Sequence, residues 1–219
     1  MIANLPKKLD ALVFNGDLIQ AVRPPWGGLL IAPNCDDQAK CAVELLKPIV
    51  QRTKETYFNS GTNYHNIDVG DYEQQIAEAL GAEYSDHWDL EVEGKVLNFA
   101  HGHMGGFVYR GGMIERETFF GALASEMGQV PKADCIVRSH IHFYIEYRSD
   151  NRVGYFTPGW QLPDAYQSTR AASYYKSMPC LGAFLLEITD EAMPDGIRSV
   201  RAPFAFAIPK YSQEVRRIR

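Results

Sequence analysis

Apolar residues fall in short runs along this chain, and several runs end on a carboxylate or an imidazole. Ala11-Leu12-Val13-Phe14 leads through Asn15-Gly16 to Asp17, Val96-Leu97-Asn98-Phe99-Ala100 to His101 and His103, and Cys135-Ile136-Val137 through Arg138-Ser139 to His140 and His142. A short run rich in Val, Ile, Leu and Phe reads as a buried strand. The polar group just beyond it then lies at the carboxyl edge of a sheet, where open α/β proteins bind ligands.

Between these runs the period changes. From Asp36 to about Lys47, Ala39, Ala42, Val43 and Leu46 recur at helical spacing, with Asp36 or Asp37 as N-cap and Pro48 near the end. Asp71 can cap a second helix carrying Tyr72, Ile76, Ala79 and Leu80 on one face, stopped by Gly81. Ile114 to Met127 reads as a third, closed by Gly128. Strands are expected at 11–16, 56–60, 88–93 and 95–100, the last two meeting at Gly94. Further strands are expected at 134–139, 142–148, 153–157, 181–189 and 197–207. Pro24, Pro25, Gly27 and Gly28 mark a loop. The fold class is α/β with an antiparallel-rich second half, in a single domain over 1–219.

Composition narrows the function. Apolar residues at 46% and charged ones at 22% suit a full core. A net charge of −5 argues against a generally basic nucleic-acid surface. The arginines of Glu214-Val215-Arg216-Arg217-Ile218-Arg219 read as a solvated tail. No stretch approaches the ~20 apolar residues of a membrane helix. Pro6, Lys7, Lys8 and Asp10 interrupt the apolar core a secretory leader needs, so a cytoplasmic protein is expected. Cys35, Cys41, Cys135 and Cys180 form no Cys-x-x-Cys pair, which disfavours a thiolate zinc knuckle and suits reduced thiols, with Cys135 buried.

Four of the six histidines lie in His-x-His pairs at strand ends. In a strand, residues i and i+2 share a face, whereas on a helix they stand about 200° apart. The pairs therefore make sense as ligands only on strands or strand ends. Asp17 adds a hard oxygen able to bridge two cations. A lone strand histidine is usually a hydrogen-bonded core or surface residue, but two pairs with a strand-end aspartate point to a metal site. Imidazole and carboxylate together favour Zn, Mn, Fe or Ni over Ca or Mg. His103 is the weakest member, and His87 beside Trp88 is expected to be structural or exposed.

The order Gly16-Asp17, Gly61-Thr62-Asn63-Tyr64-His65, His101-Gly102-His103, Ser139-His140-Ile141-His142 resembles the calcineurin-like metallophosphoesterases. That family's pattern runs Asp-x-His, Gly-Asp, Gly-Asn-His, His, Gly-His-x-His, and the resemblance spans nearly the whole chain. A phage and prokaryotic subgroup is nearest in flavour, with a Gly-Thr-x-x-His third motif and a later segment like Pro158-Gly159-Trp160-Gln161. The resemblance implies a sandwich of two mixed β-sheets flanked by helices. It also implies Asp17 as the bridging carboxylate, His101 and His140 on one ion and His142 on the other. Asn63 would be a further ligand and His65 the acid that protonates the leaving group. An intact site of this kind holds two divalent ions, Mn, Fe, Zn or Ni, and hydrolyses a phosphate mono- or diester by attack of a metal-held hydroxide. Nucleotides and nucleic acid ends are among the possible substrates.

The family's opening Asp-x-His strand is missing from this sequence. A truncated chain is the favoured expectation, ahead of a degenerate one-metal protein or a strand supplied by another chain. The alternative function is thus a non-catalytic metal-binding or interaction module. Arg110, Arg138 and Arg170 are candidate phosphate contacts, though each reads more readily as a surface residue. Trp160, Tyr166, Tyr174 and Tyr175 could stack a nucleobase or aryl group, or simply pack their loop onto the sheet.

Overall fold

The computed structural model describes residues 6–22, 30, 32–65, 71–102, 110–149, 152–161, 181–188 and 196–203. β1 (Leu9–Phe14) enters first, followed by α1 (Cys35–Val50) and β2 (Thr53–Asn59). β1 and β2 pair in parallel, Leu9 opposite Thr53 and Phe14 opposite Phe58. α2 (Tyr72–Leu80) then returns the chain to β3 (Glu83–Ser85), parallel to β2. The result is a three-stranded parallel sheet in the order β1-β2-β3.

Local chemistry explains the helix bounds. Asn34, in an extended conformation, caps α1 by accepting from the Asp37 N–H at 2.8 Å. The sequence pattern pointed to Asp36 or Asp37 instead. Both lie in the first turn, where their charge complements the helix dipole. Pro48 lies inside the last turn, and α1 runs on to Val50. α2 begins at Asp71 and stops at Gly81, as its pattern predicts, with Gly81 at φ 68. Its buried arc is Tyr72, Glu73, Ile76 and Ala77, which leaves Ala79 exposed. Ile19, Phe58, Tyr72, Ile76 and Ala77 form the core between these helices and the sheet.

A second sheet follows. β4 (His87–Val92) and β5 (Lys95–Ala100) form a hairpin over Glu93 and Gly94, at φ 48 and 71. Two left-handed residues match the right-handed twist of the strands they join. α3 (Arg110–Glu126) leads to β6 (Cys135–Arg138), β7 (Ile145–Ser149) and β8 (Arg152–Phe156). The strand order is β4-β5-β6-β8-β7, with β5, β6 and β8 parallel and the outer strands antiparallel to their neighbours. β9 (Gly182–Ile188) and β10 (Ile197–Pro203) make a separate antiparallel ribbon.

Side-chain alternation sorts this sheet's two faces. Ile136 and Phe156 pack with Met113 and Ile114 of α3. Cys135, Val137, Val153 and Tyr155 pack with Ile197 and Phe184 of the ribbon. Both faces are covered, so every residue of β6 and β8 is buried. Gly154 is needed there, because a Cβ would stand 2.6 Å from Ile114 Cγ1.

The architecture is α/β, as the sequence pattern predicts, with the mixed sheet pairing and flanking helices that the resemblance implies. The smaller sheet is all parallel, and the mixed pairing lies in the larger one. β3 had no counterpart in the pattern; three residues are too short to show a period. The loop at Pro24 to Gly28 and the end of the last expected strand, 204–207, lie outside the described residues. Among the described residues no helix is long and apolar enough to cross a membrane.

The two larger sheets meet at their strand ends. The Asn15 amide, just past β1, donates to the Ala100 carbonyl at 2.9 Å and to the Ser139 hydroxyl at 2.7 Å. Trp88 Nε1 donates to the Phe58 carbonyl at 3.0 Å. The carboxyl ends of β1, β2, β5 and β6 thus converge.

Candidate metal centre

The turn after β1 sets the first donor. Gly16 and Asp17 both adopt positive φ, 79 and 57, which swings the carboxylate back over the strand ends. A Cβ on Gly16 would lie 2.6 Å from the Ser60 carbonyl oxygen and 2.7 Å from His101 Nδ1. A Cβ on Gly61 would run into the Asp17 carboxylate. Only glycines let these segments approach so closely. Thr62 then holds Asp17 Oδ1, donating from its backbone N at 2.6 Å and its hydroxyl at 3.0 Å.

The other oxygen, Oδ2, faces three imidazoles. His101 Nε2 is 2.9 Å away, His65 Nε2 3.7 Å and His140 Nδ1 4.0 Å. His101 Nε2 and His140 Nδ1 are 3.4 Å apart. The donor atoms of Asp17, His101 and His140 all lie within 4.8 Å of one another.

Backbone carbonyls orient two of these rings. His101 Nδ1 donates to the Asn15 carbonyl at 2.6 Å, and His65 Nδ1 to the Gln20 carbonyl at 3.1 Å. In each case Nε2 is the nitrogen left facing Asp17. Such a bond through the remote nitrogen is the usual support of a ligating histidine.

His140 and His142 do lie past the end of β6, but not in extended backbone. Their φ values are 72 and 57, with buried Ile141 between them anchored in the core under α3. The same-face argument for a His-x-His pair in a strand does not describe them; successive left-handed kinks do. A left-handed non-glycine residue costs about 1–2 kcal/mol. Asp17, His140 and His142 are three of the five such residues described. Strain of this kind collects where surrounding structure holds a functional geometry.

Electrostatics follow from burial and pairing. Burial pushes the Asp17 carboxyl up, but the hydrogen bond of His101, the nearby His140 ring and the charges of His101 and His65 outweigh it. The net effect holds Asp17 far below the usual carboxylate range. Burial pulls the His101 imidazole down, yet the hydrogen bond and charge of Asp17 and the Asn15 carbonyl raise it overall. For His142 burial dominates and lowers the ring; the Asp17 charge opposes this, and His140, His101 and His65 add to it.

The remaining expected residues are placed as follows. His142 is within electrostatic range of the cluster but outside its close donor set. Its ring lies under Gly159, where a Cβ would stand 2.8 Å from His142 Cγ. Asn63 is exposed in the turn, and Thr62 is the residue of that stretch that bonds Asp17. His87 is exposed on β4, as expected. Arg138 is not a surface residue. It is buried, and its guanidinium donates to Glu117, to Asn98 Oδ1 at 2.7 Å and to the Val137 carbonyl at 2.8 Å, tying β6 to β5 and α3. His103, Arg170, Tyr166, Tyr174, Tyr175 and the Arg110 side chain lie outside the described residues.

Sequence reasoning passed over several supporting groups. Fully buried Asn59, at the end of β2, donates its amide to Asn15 Oδ1. Its position at the end of an apolar run was the available signal. Fully buried Glu73 accepts from the Leu18 N–H at 3.2 Å, just past Asp17. Gln20 links loops, because its Oε1 accepts from Gln161 Nε2 at 2.7 Å. Neither Glu73 nor Gln20 carries a local sequence signal.

The donor set fits a divalent cation. Imidazole nitrogens and carboxylate oxygens bind zinc at about 2.0–2.2 Å, which places neighbouring donors roughly 3–3.5 Å apart. The 2.9 and 3.4 Å separations match, and the 4.0 Å one needs only a small side-chain adjustment. A cation there would replace the proton that His101 shares with Asp17.

No protein-family model and no curated protein matches the chain. Among solved structures, a double mutant of Vps29 from Entamoeba histolytica aligns over 90% of this chain and 84% of that one, with 11% identity and a TM-score of 0.47. A novel archaeal phosphodiesterase aligns over 74% and 75%, with 9% identity and a TM-score of 0.43. A conserved uncharacterized protein from Streptococcus pneumoniae, a predicted phosphoesterase, aligns over 71% and 75%, with 10% identity and a TM-score of 0.39.

Proposed function

We propose that this chain is a metal-dependent phosphoesterase of the calcineurin-like kind, acting on a phosphate mono- or diester. The observation that carries the reading is the convergence of Asp17, His101 and His140 at the ends of strands from two sheets, with His65 Nε2 beside them. The ordered motifs of the sequence supply the same residues independently. Asp17, His101 and His140 would hold the first cation, and His142 and Asn63 would contribute to a second. A divalent cation in this position supplies Lewis acidity toward a phosphoryl oxygen and a water. Thr62 keeps one Asp17 oxygen occupied, so the other remains directed at the imidazoles. With Nδ1–H donating to the Gln20 carbonyl, His65 serves as the acid in its doubly protonated form, whose Nε2–H faces the cluster and would pass to the departing alcohol.

Hydrolysis of an aryl phosphodiester with added Mn²⁺ tests this. Turnover should fall about 10²-fold or more in His140→Ala, the scale of removing one transition-state contact. Metal-loaded protein with no turnover that separates wild type from this variant contradicts the enzyme reading.

One observation favours the second reading, a non-catalytic metal-stabilised module. Among the described residues the close donor group has three members, enough for one ion rather than two. That reading expects one tightly held ion, stabilisation by metal, and no hydrolysis.

A further inference from the structure

Two large rings stand half exposed at the rim of the metal cluster. Tyr64 is 46% exposed and Trp160 50%. The other exposed large apolar side chains among the described residues lie on α1 or along α3 and the turn that follows it. Tyr64 is the neighbour of His65, and the two rings meet edge-on with centroids 5.0 Å apart. Trp160 sits between Gly159, which abuts His142, and Gln161.

Both segments are tied to one residue. The Gln20 carbonyl takes His65 Nδ1 at 3.1 Å, and its side-chain oxygen takes Gln161 Nε2 at 2.7 Å. Gln20 is itself held, since its own N–H and that of Ala21 both donate to Gln38 Oε1 at 3.0 Å. Each ring is therefore one residue from a bond to the same anchor. The two rings border the cluster from the His65 side and the His142 side.

We infer that Tyr64 and Trp160 form a stacking subsite for a planar aromatic group carried by the phosphate ester, either an aryl alcohol or a nucleobase. Rings of this size bind another ring through offset or edge contacts that tolerate many heterocycles. Tyr64 lies beside the acid assigned to the leaving group, so an aromatic leaving group would depart along its face. The inference rests on the phosphoesterase reading and names the substrate class of that site.

Calorimetric titration of the Mn²⁺-loaded chain with phenylphosphonate and methylphosphonate tests it without turnover, because neither C–P bond is a substrate. Phenylphosphonate should bind roughly tenfold tighter, the scale of one stacked ring. The ratio should fall toward one in Trp160→Ala and in Tyr64→Ala, and persist in Trp160→Phe. Adenosine against ribose, each competing with phenylphosphonate, separates the two sources of the ring: displacement by adenosine supports a nucleobase, and a preference confined to phenylphosphonate supports a small aryl group. Equal affinities within both pairs overturn the subsite while leaving the phosphoryl site intact. If neither phosphonate binds, the phosphoesterase reading falls and the subsite with it.

Discussion

His65 shows how much chemistry one hydrogen bond can assign. With Nδ1 on the Gln20 carbonyl, only Nε2 can give a proton toward the cluster. His65→Gln should therefore slow an alkyl phosphate ester by about 10²–10⁴-fold and a p-nitrophenyl ester far less, because p-nitrophenolate leaves without a proton. Equal slowing of both, measured as kcat, would remove His65 from the acid role. At this scale Asp17, His101 and His140 were legible as polar groups ending apolar runs, and they do share one locus. The left-handed backbone of His140 and His142 was not legible, since periodicity reports only that a strand precedes them. Nor was Thr62's place on Asp17, which depends on how closely Gly61 approaches from another strand.

Caps and breakers made some elements readable and left others obscure. Asp71 and Gly81 bound α2 because a side-chain oxygen and a left-handed residue meet its orphan groups at either end. α3 was readable as a helix but not in its orientation. Met113, Ile114 and Thr118 face the sheet, whereas Phe119, Phe120 and Leu123 are exposed, so apolar residues surround the helix and no stripe marks the inner face. What orients it is Gly154, whose missing side chain admits Ile114 and Thr118. Gly154→Ala should lift α3 from β8 and destabilise the fold by about 1–3 kcal/mol, the usual cost of overpacking. A shift of the urea midpoint at unchanged slope measures it; an unshifted midpoint would mean α3 is not held by this contact.

Across the whole molecule, the alternation of strand and helical periods gave the α/β class, and covered faces gave the buried strands. Sheet partition was not readable, because pairing across sequence distance leaves no local mark. The ribbon of β9 and β10 is joined to the larger sheet partly through Glu146, which accepts from Ser199 Oγ at 3.0 Å and Arg148 Nη2 at 2.8 Å. Burial raises the Glu146 carboxyl, but the bonds from Arg148, Tyr144 and Ser199 and the Arg148 charge lower it overall. A depressed carboxylate stabilises the fold above its unfolded value, about 4.3, and loses that contribution as pH falls through the folded value. Glu146→Gln should therefore cost more stability at pH 7 than at pH 3. The difference should stay under about 1 kcal/mol because water screens the pair. Urea midpoints at the two pH values check this, and an equal loss at both would exclude the ionised group as the cause.

Whether Asp17, His101 and His140 share a cation is the claim on which the functional reading rests. Titration of the metal-free chain with Mn²⁺, read by calorimetry, measures it without substrate or turnover. The predicted result is saturable binding at a site held by these three residues, weakened at least about tenfold in Asp17→Asn and in His140→Ala, the scale on which ligand-shell changes alter affinity. Absence of saturable binding, or affinity unchanged in both variants, contradicts it.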